Sequence, residues 1–229
     1  MRYDRNQYRT GQVDDYISMF YPELKREFSD CRVLDVGCGH GVVSLSLAPR
    51  VRSVLGIDPS TQSIEKAKAE AELKGIKNAR FLAMSAYDLD VAEKYDVVIL
   101  SDVLEHVPDQ PKLLQKCIEQ IAPGGVLYVN TPNKWFPIEP HFNLPFLSWL
   151  PKSLANRYAQ AFSGDGYQGY HLLSYRQFTD LLDSFQINYT LKPQPNPQRM
   201  LYRVGNRIVT RAPFMWRFAN AFQVIVQKR

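Results

Sequence analysis

Residues 34–41 read LDVGCGHG, and the reading of this stretch decides the fold. It ends the apolar run CRVLDV and leads into VVSLSL (42–47), so it reads as strand, glycine turn and helix. Glycines at 37, 39 and 41 allow a tight turn and the close approach of another group to the backbone. A phosphate loop would continue with Gly-Lys-Ser/Thr, and no such sequence follows. A dinucleotide fingerprint would place its third glycine at 42, where Val42 stands.

The rhythm continues along the chain. SVLGID (53–58), ARFLAM (79–84), YDVVIL (95–100) and VLYVN (126–130) read as strands, the last after a Pro123-Gly124-Gly125 turn. Helices are expected over Pro59–Lys74, capped by Ser60 and stopped at Gly75, and over Pro111–Ile121. Upstream, Ile17, Phe20, Tyr21, Leu24 and Phe28 predict a helix over Val13–Phe28. Downstream come a helix over Tyr175–Phe185 and strands INYTLK (187–192) and AFQVIVQK (221–228). Such alternation predicts one α/β domain over residues 1–229, a mostly parallel seven-stranded Rossmann-like sheet with helices on both faces. Two segments break the rhythm: 131–172, read as a lid or acceptor insertion, and 193–218, a second, basic insertion.

Composition narrows the class. Apolar residues at 45% and charged residues at 22% are an ordinary globular balance. No apolar run approaches the roughly 18–20 residues of a membrane span, and MRYDRNQYRTGQVDD lacks the apolar core of a secretory signal. Cys31, Cys38 and Cys117 show no paired spacing, which fits a reducing, cytoplasmic setting and argues against a disulfide framework or zinc site. The net charge of +5 is uneven: residues 192–229 carry +8 and no acid, so the remainder is near −3.

Two carboxylates specify the ligand. Asp58 ends the second strand, 19 residues after Gly39, where a carboxylate meets the hydroxyls of a ribose. Asp35 lies inside the first strand, a position poor for phosphate and favourable for an ammonium group. A ribose, a cation and little phosphate describe S-adenosyl-L-methionine. VLDVGCGHG, GIDPS, AYDLD, YDVVILSDVLEHVPD and IAPGGVLYVNTPN together resemble the class I S-adenosylmethionine-dependent methyltransferases, in order, over about residues 31–133. LEHV and PGG…TPN are most similar to the small-molecule and quinone-type O-methyltransferases. The resemblance implies that the last strand runs antiparallel. It implies that Asp35, Gly37, Cys38 and Gly39 line the methionine part and that Asp58 holds the ribose, with Pro59 beside the adenosine. It also implies Ser85, Ala86 and Tyr87 at the adenine edge, and Ser101, Asp102 and Val103 under the site. Asp88 falls one place later than the acid that bonds the adenine amino group in many relatives.

A hydroxyl acceptor must lose a proton, which calls for a base or a metal. Asp102, Glu105 and His106 would share one face if a helix began there. They form a base cluster, an oxygen-and-imidazole site for a divalent ion, or simply the turn before Pro108; no metal is assigned. His141 and His171 flank the expected acceptor mouth, and His171, next to the following helix, is preferred. The catalytic candidates are therefore His106, Asp102 and His171.

The acceptor is expected to be small or lipid-like. SDVL after the fourth strand is not the Asn/Asp-Pro-Pro-aromatic turn of enzymes that methylate base amino groups, so nucleic acid is not the expected partner. Arg199, Arg203, Arg207 and Arg211 recur every four residues among aromatic neighbours and suit peripheral contact with an anionic membrane. FNLPFLSWLP adds an apolar-aromatic patch. The alternatives are a methyltransferase acting on RNA or protein, and a cofactor-binding protein without turnover.

Overall fold

The computed structural model describes residues 5–89, 93–194 and 213–228. The β-branched runs form β1 (Arg32–Val36), β2 (Ser53–Asp58), β3 (Ala79–Ala83), β4 (Tyr95–Ser101) and β5 (Ile121–Pro132). Two short strands, β6 (Ile138–Glu139) and β7 (Leu144–Pro145), pair as a hairpin in the insertion; β8 (Asn188–Gln194) and β9 (Ala221–Gln227) close the series. The main sheet has the order β3-β2-β1-β4-β5-β9-β8. β1 to β5 pair in parallel, and β9 runs antiparallel to both β5 and β8, as the resemblance implies.

Alternation along β4 places a core on each face of the sheet. Val97 and Ile99 pack with Val13, Tyr16, Val43 and Leu47, from α1 (Arg5–Phe20) and α2 (Val42–Leu47). Val98 and Leu100 pack with Leu113, Leu114, Phe178 and Leu182, from α4 (Gln110–Glu119) and α6 (Tyr175–Asp183). Each such side chain contributes about 1.5–3 kcal/mol by leaving water. The helix α3 (Thr61–Leu73) covers β2 and β3 through Ile64, Ala67 and Ala71. Ser60 caps it by accepting the Ser63 N–H at 3.2 Å, as its sequence predicts.

Two local expectations are corrected. The first helix runs over Arg5–Phe20 rather than 13–28, because the residue before a proline is biased away from helical geometry. Tyr21–Glu23, with Pro22, forms a separate 3-10 turn, and Leu24 is extended. The Pro-Gly-Gly segment does not precede the fifth strand but is absorbed into it. Tyr95 pairs with Ile121 and Val97 with Val126, so residues between bulge out. A side chain on Gly125 would meet Asp96 O at 2.7 Å, which fixes glycine there.

The first insertion occupies 133–174, between β5 and α6. It holds β6, β7 and α5 (Lys152–Ser163) around a small core of Leu147, Ala155 and Ala159. Asn133 anchors its root, donating from Nδ2 to Arg217 O and Ala219 O at 2.8 Å each. Of the second insertion, residues 195–212 lie outside the described residues, and with them the expected helix bearing Arg199, Arg203, Arg207 and Arg211.

Candidate active site

The glycine turn spends its amide groups on the sheet. Gly37 N and Cys38 N both donate to Ile57 O, at 2.8 and 3.0 Å, and Gly39 N donates to Asp58 Oδ2 at 3.0 Å. Three successive N–H groups are thus turned to β2, which leaves no cradle for phosphate of the kind a phosphate loop makes. Gly37 and Gly39 both have positive φ, +71° and +53°. A side chain at 37 would strike Val103 Cγ2 at 2.3 Å, whereas the space over Gly39 is open. Close packing on one side and room on the other is the shape of a ligand cradle.

Asp58 does not cap α3, since Ser60 does. Its second oxygen, Oδ1, accepts the Ser60 N–H at 2.8 Å. Both backbone bonds fix the carboxylate at the mouth of the turn. Beside it, a narrow pocket of about 10 Å³ is lined by Tyr16, Asp35, Gly37, Cys38, Val43, Ser101 and Asp102. Asp35 is buried and accepts the Ser44 hydroxyl at 2.5 Å. Tyr16 and Ser101 bond to each other at 3.0 Å. Tyr16 belongs to α1 and is not among the residues the sequence singles out; its place beside Val13 and Phe20 reads only as core spacing. Burial raises the Cys38 thiol far above its ordinary range, so it fills space and is no nucleophile.

Downstream of β4 the chain turns sharply. Asp102 has φ +55°, unusual for a residue other than glycine, and is held by Asn130: its N–H donates to Asn130 O at 3.0 Å and its Oδ1 accepts from Asn130 Nδ2 at 2.8 Å. Leu104–His106 then form a 3-10 turn instead of a helix. Asp102 therefore lines the narrow pocket beside the glycine turn, and Glu105 and His106 face the insertion.

There they meet His141. Glu105 is buried; its Oε2 accepts the Thr131 hydroxyl at 3.3 Å, while its Oε1 has no hydrogen-bond partner. His106 Nε2 and His141 Nε2 lie 3.9 and 3.8 Å from that Oε1. These three donor atoms lie within 4.8 Å of one another, an arrangement that could hold a divalent ion. Buried Glu139 orients His141: Oε1 lies 2.7 Å from Nδ1, and Oε2 accepts the His141 and Phe142 N–H groups at 2.8 Å each. With Nδ1 as donor, Nε2 carries the lone pair, 3.8 Å from Glu105 Oε1. The Tyr170 ring packs on both imidazoles, with centroids 4.6 and 5.2 Å away. Burial, with Asp102 nearby, pushes the Glu105 carboxyl up to about 8, so it is neutral at pH 7. Burial and the neighbouring His141 lower His106.

His171 contributes its backbone: its N–H donates to Glu105 O at 2.7 Å and its carbonyl accepts from Gln110 Nε2 at 2.7 Å. It lines a larger cavity of about 700 Å³ under the insertion, together with Lys134, Leu150, Lys152, Tyr167 and Tyr170. Ser85 caps a 3-10 turn over Ala86–Asp88, and the Tyr87 hydroxyl bonds the backbone of Asp109 at 3.1 and 3.2 Å. Pro59 is exposed beside Asp58.

A sheet of this order with a glycine turn, a ribose-type carboxylate and an acid-imidazole group beyond β4 has the form of a class I methyltransferase. Residues 27–162 match the family described as methyltransferase domain, and the chain belongs to that family. It is 32% identical over 185 residues to the ubiquinone biosynthesis O-methyltransferase of Neisseria meningitidis, covering 72% of this chain and 77% of that one. It is 33% identical over 133 residues to the protein so named from Chelativorans sp., covering 56% of this chain and 52% of that one. The chain spans about half the length of several other curated relatives it matches. Magnesium protoporphyrin IX methyltransferase from Synechocystis shares the fold at a TM-score of 0.64 and 15% identity, over 100% of this chain and 90% of that one. The YcgJ protein of Bacillus does so at 0.62 and 17%, over 97% and 99%.

Proposed function

We propose that this protein transfers a methyl group from S-adenosylmethionine to a hydroxyl oxygen of a small or lipid-linked acceptor by in-line displacement. One observation carries the reading: a single segment, Ser101–His106, lines the donor pocket at one end and the acid-imidazole group at the other. The donor residues fit the ligand, with two carboxylates, open space over Gly39 and a turn that offers no phosphate cradle. When bound, S-adenosylmethionine supplies a methyl group already activated by its sulfonium. Asp58 binds the ribose hydroxyls, and Asp35 and Asp102 favour the cationic end. Ser85, Ala86 and Tyr87 stand at the adenine edge. The bond between Tyr16 and Ser101 must part to admit a ligand of this size.

On the acceptor side, the Nε2 of His106 or His141 takes the hydroxyl proton as the oxygen attacks. Glu105, uncharged, keeps the space dry without competing for that proton. In a second reading, the same three residues, with Glu105 ionised, would hold a divalent ion that supplies Lewis acidity in place of a base. The relatives named for ubiquinone biosynthesis support oxygen as the methylated atom and a quinone-type, lipid-linked acceptor. The cavity of about 700 Å³ is the acceptor chamber. Arg199, Arg203, Arg207 and Arg211 add electrostatic attraction to an anionic membrane at the cytoplasmic face.

Transfer of labelled methyl into a lipid extract, compared with an RNA fraction and a protein fraction, tests this reading. Label in the lipid extract is expected. Label confined to RNA or protein would overturn it, and tight cofactor binding by calorimetry without any transfer would make the chain a binding protein.

A further inference from the structure

The end of β5 meets both halves of the site, one on each face of the sheet. Along that strand Tyr128 packs with Tyr16 on the α1 side, and Val129 packs with Leu113 and Phe178 on the other side. Alternation continues to the tip, so Asn130 shares the face of Tyr128 and Thr131 the face of Val129. The neighbouring strands agree. Asn130 stands opposite Ser101, which bonds Tyr16, and opposite Gln223, which donates to the Tyr128 hydroxyl at 2.9 Å. Thr131 stands opposite Phe222, which belongs to the core under α4 and α6. Each of the two residues holds one carboxyl group of the segment after β4. Asn130 Nδ2 donates to Asp102 Oδ1 at 2.8 Å, and the Thr131 hydroxyl donates to Glu105 Oε2 at 3.3 Å. Two acids three residues apart in one turn are thereby drawn to opposite faces.

The turn at Asp102 needs to be held. Its φ of +55° lies in the left-handed region, where an L residue meets a steric penalty. Glycine would adopt that conformation freely but brings no carboxylate. Asn130 grips the residue twice: its carbonyl accepts the Asp102 N–H at 3.0 Å, and its side-chain amide donates to the carboxylate. A bond from an amide to an ionised carboxylate is stronger than one between neutral groups. Asn130 itself is buried, and its Oδ1 has no hydrogen-bond partner. Keeping an oxygen in that state is unfavourable. A side chain chosen for packing would leave that oxygen out; the amide nitrogen is what the turn uses.

We infer that Asn130 is a positioning residue for methyl transfer. It holds the left-handed turn so that the Asp102 carboxylate stays in the wall of the narrow pocket beside the glycine turn, while Glu105 is left to the acceptor side. The inference rests on the proposed reading of Asp102 as a residue of the donor's cationic end. Asn130 does not line the pocket, and it acts through Asp102. The alternation of β5 thus sorts two carboxyl groups of one short segment between donor and acceptor.

Calorimetric titration of the full chain with S-adenosylmethionine, without acceptor, tests the inference. Asn130→Ala is expected to weaken donor binding about tenfold at full stoichiometry. Its melting temperature should change little, since the unpartnered oxygen leaves together with the bond. Asn130→Ser is a milder replacement, expected to weaken binding in the same direction, and it serves if the alanine variant does not fold. Thr131→Val, next along the strand on the opposite face, is the control and should bind the donor as the native chain does. Asp102→Gly supplies the decisive background, because glycine takes the left-handed turn unaided and has no carboxylate to hold. There Asn130→Ala is expected to bring no further loss of donor affinity. Circular dichroism verifies that each variant is folded. Native affinity in the folded Asn130 variants would overturn the inference, whether or not the melting temperature falls. The same tenfold loss in the Asp102→Gly background would overturn it too, since Asn130 would then act without Asp102. The expected pattern of donor binding with no label in a lipid extract would uphold this inference and overturn the proposed acceptor. Label in the lipid extract with native affinity in the variants would do the reverse.

Discussion

Replacing Glu105 by Gln isolates the energetic cost of a buried carboxyl group. The side chain is fully buried, and its protonation equilibrium moves from the ordinary 4.5 up to about 8. Below pH 4.5 the folded and unfolded chains both carry the proton, and Glu105 costs nothing through ionisation. As the pH rises toward 8, the unfolded chain ionises while the folded chain retains its proton. The native state therefore loses stability with rising pH, by about 1.4 kcal/mol per pH unit across this window. Glu105→Gln removes the titration, keeps an oxygen for the Thr131 hydroxyl, and points an amide N–H₂ at the two imidazole nitrogens. The Thr131 bond is common to both proteins, so a difference that grows with pH reports the carboxyl group. Urea denaturation near pH 5 and again near pH 8 is expected to show the variant gaining about 3 kcal/mol on the native protein between the two. A difference that stays constant with pH would refute the reasoning.

Other expectations follow from the same geometry. Gly37→Ala drives a methyl group into Val103 in a left-handed conformation and should cost about 1–3 kcal/mol. Donor affinity measured by calorimetry should fall with it, and Val103→Ala in the same chain should restore part of the loss; unchanged affinity would count against the cradle. Glu139→Gln weakens the grip on His141 Nδ1 and should reduce kcat about tenfold to a hundredfold while leaving the donor KM in place. An unaltered rate would remove His141 from the proton path. Tyr16→Phe keeps the ring against Tyr128 but deletes the bond to Ser101. About 1 kcal/mol of stability should go with it, together with faster donor association in stopped-flow measurements; slower association would mean that the hydroxyl serves binding instead.

The parts of the molecule that are local in sequence are legible in it. Strand runs such as YDVVIL carry their own periodicity, and Asp58 at the end of SVLGID is placed by its distance from the glycine turn. Ser60 announces its cap through residue type alone. The first helix is less legible, because apolar residues at helical spacing continue past Pro22 in a segment whose backbone does not. The acid-imidazole group is hardest to read. His106 and His141 are 35 residues apart, and only the folding back of the insertion brings them together. No spacing rule chooses His141 over His171 for that approach. Glu139, two residues from His141, gives a local hint, but its value depends on burial, which is a property of the fold. Trp149 is more legible, since FNLPFLSWLP reads as an apolar-aromatic patch, and the fold leaves it exposed.

The place of β9 has a consequence for assembly during synthesis. This strand lies between β5 and β8, though it follows both in the chain. While the ribosome is still making residues before Ala221, β8 has no strand to pair with and β5 has an open edge. The parallel portion, β3-β2-β1-β4-β5, can gather first, since its partners are already present. The late strand then closes two ladders at once, inserting between edges that would otherwise be exposed to other nascent chains. A synthesis pause before residue 221 would prolong that exposed state, and release of the final strand would end it.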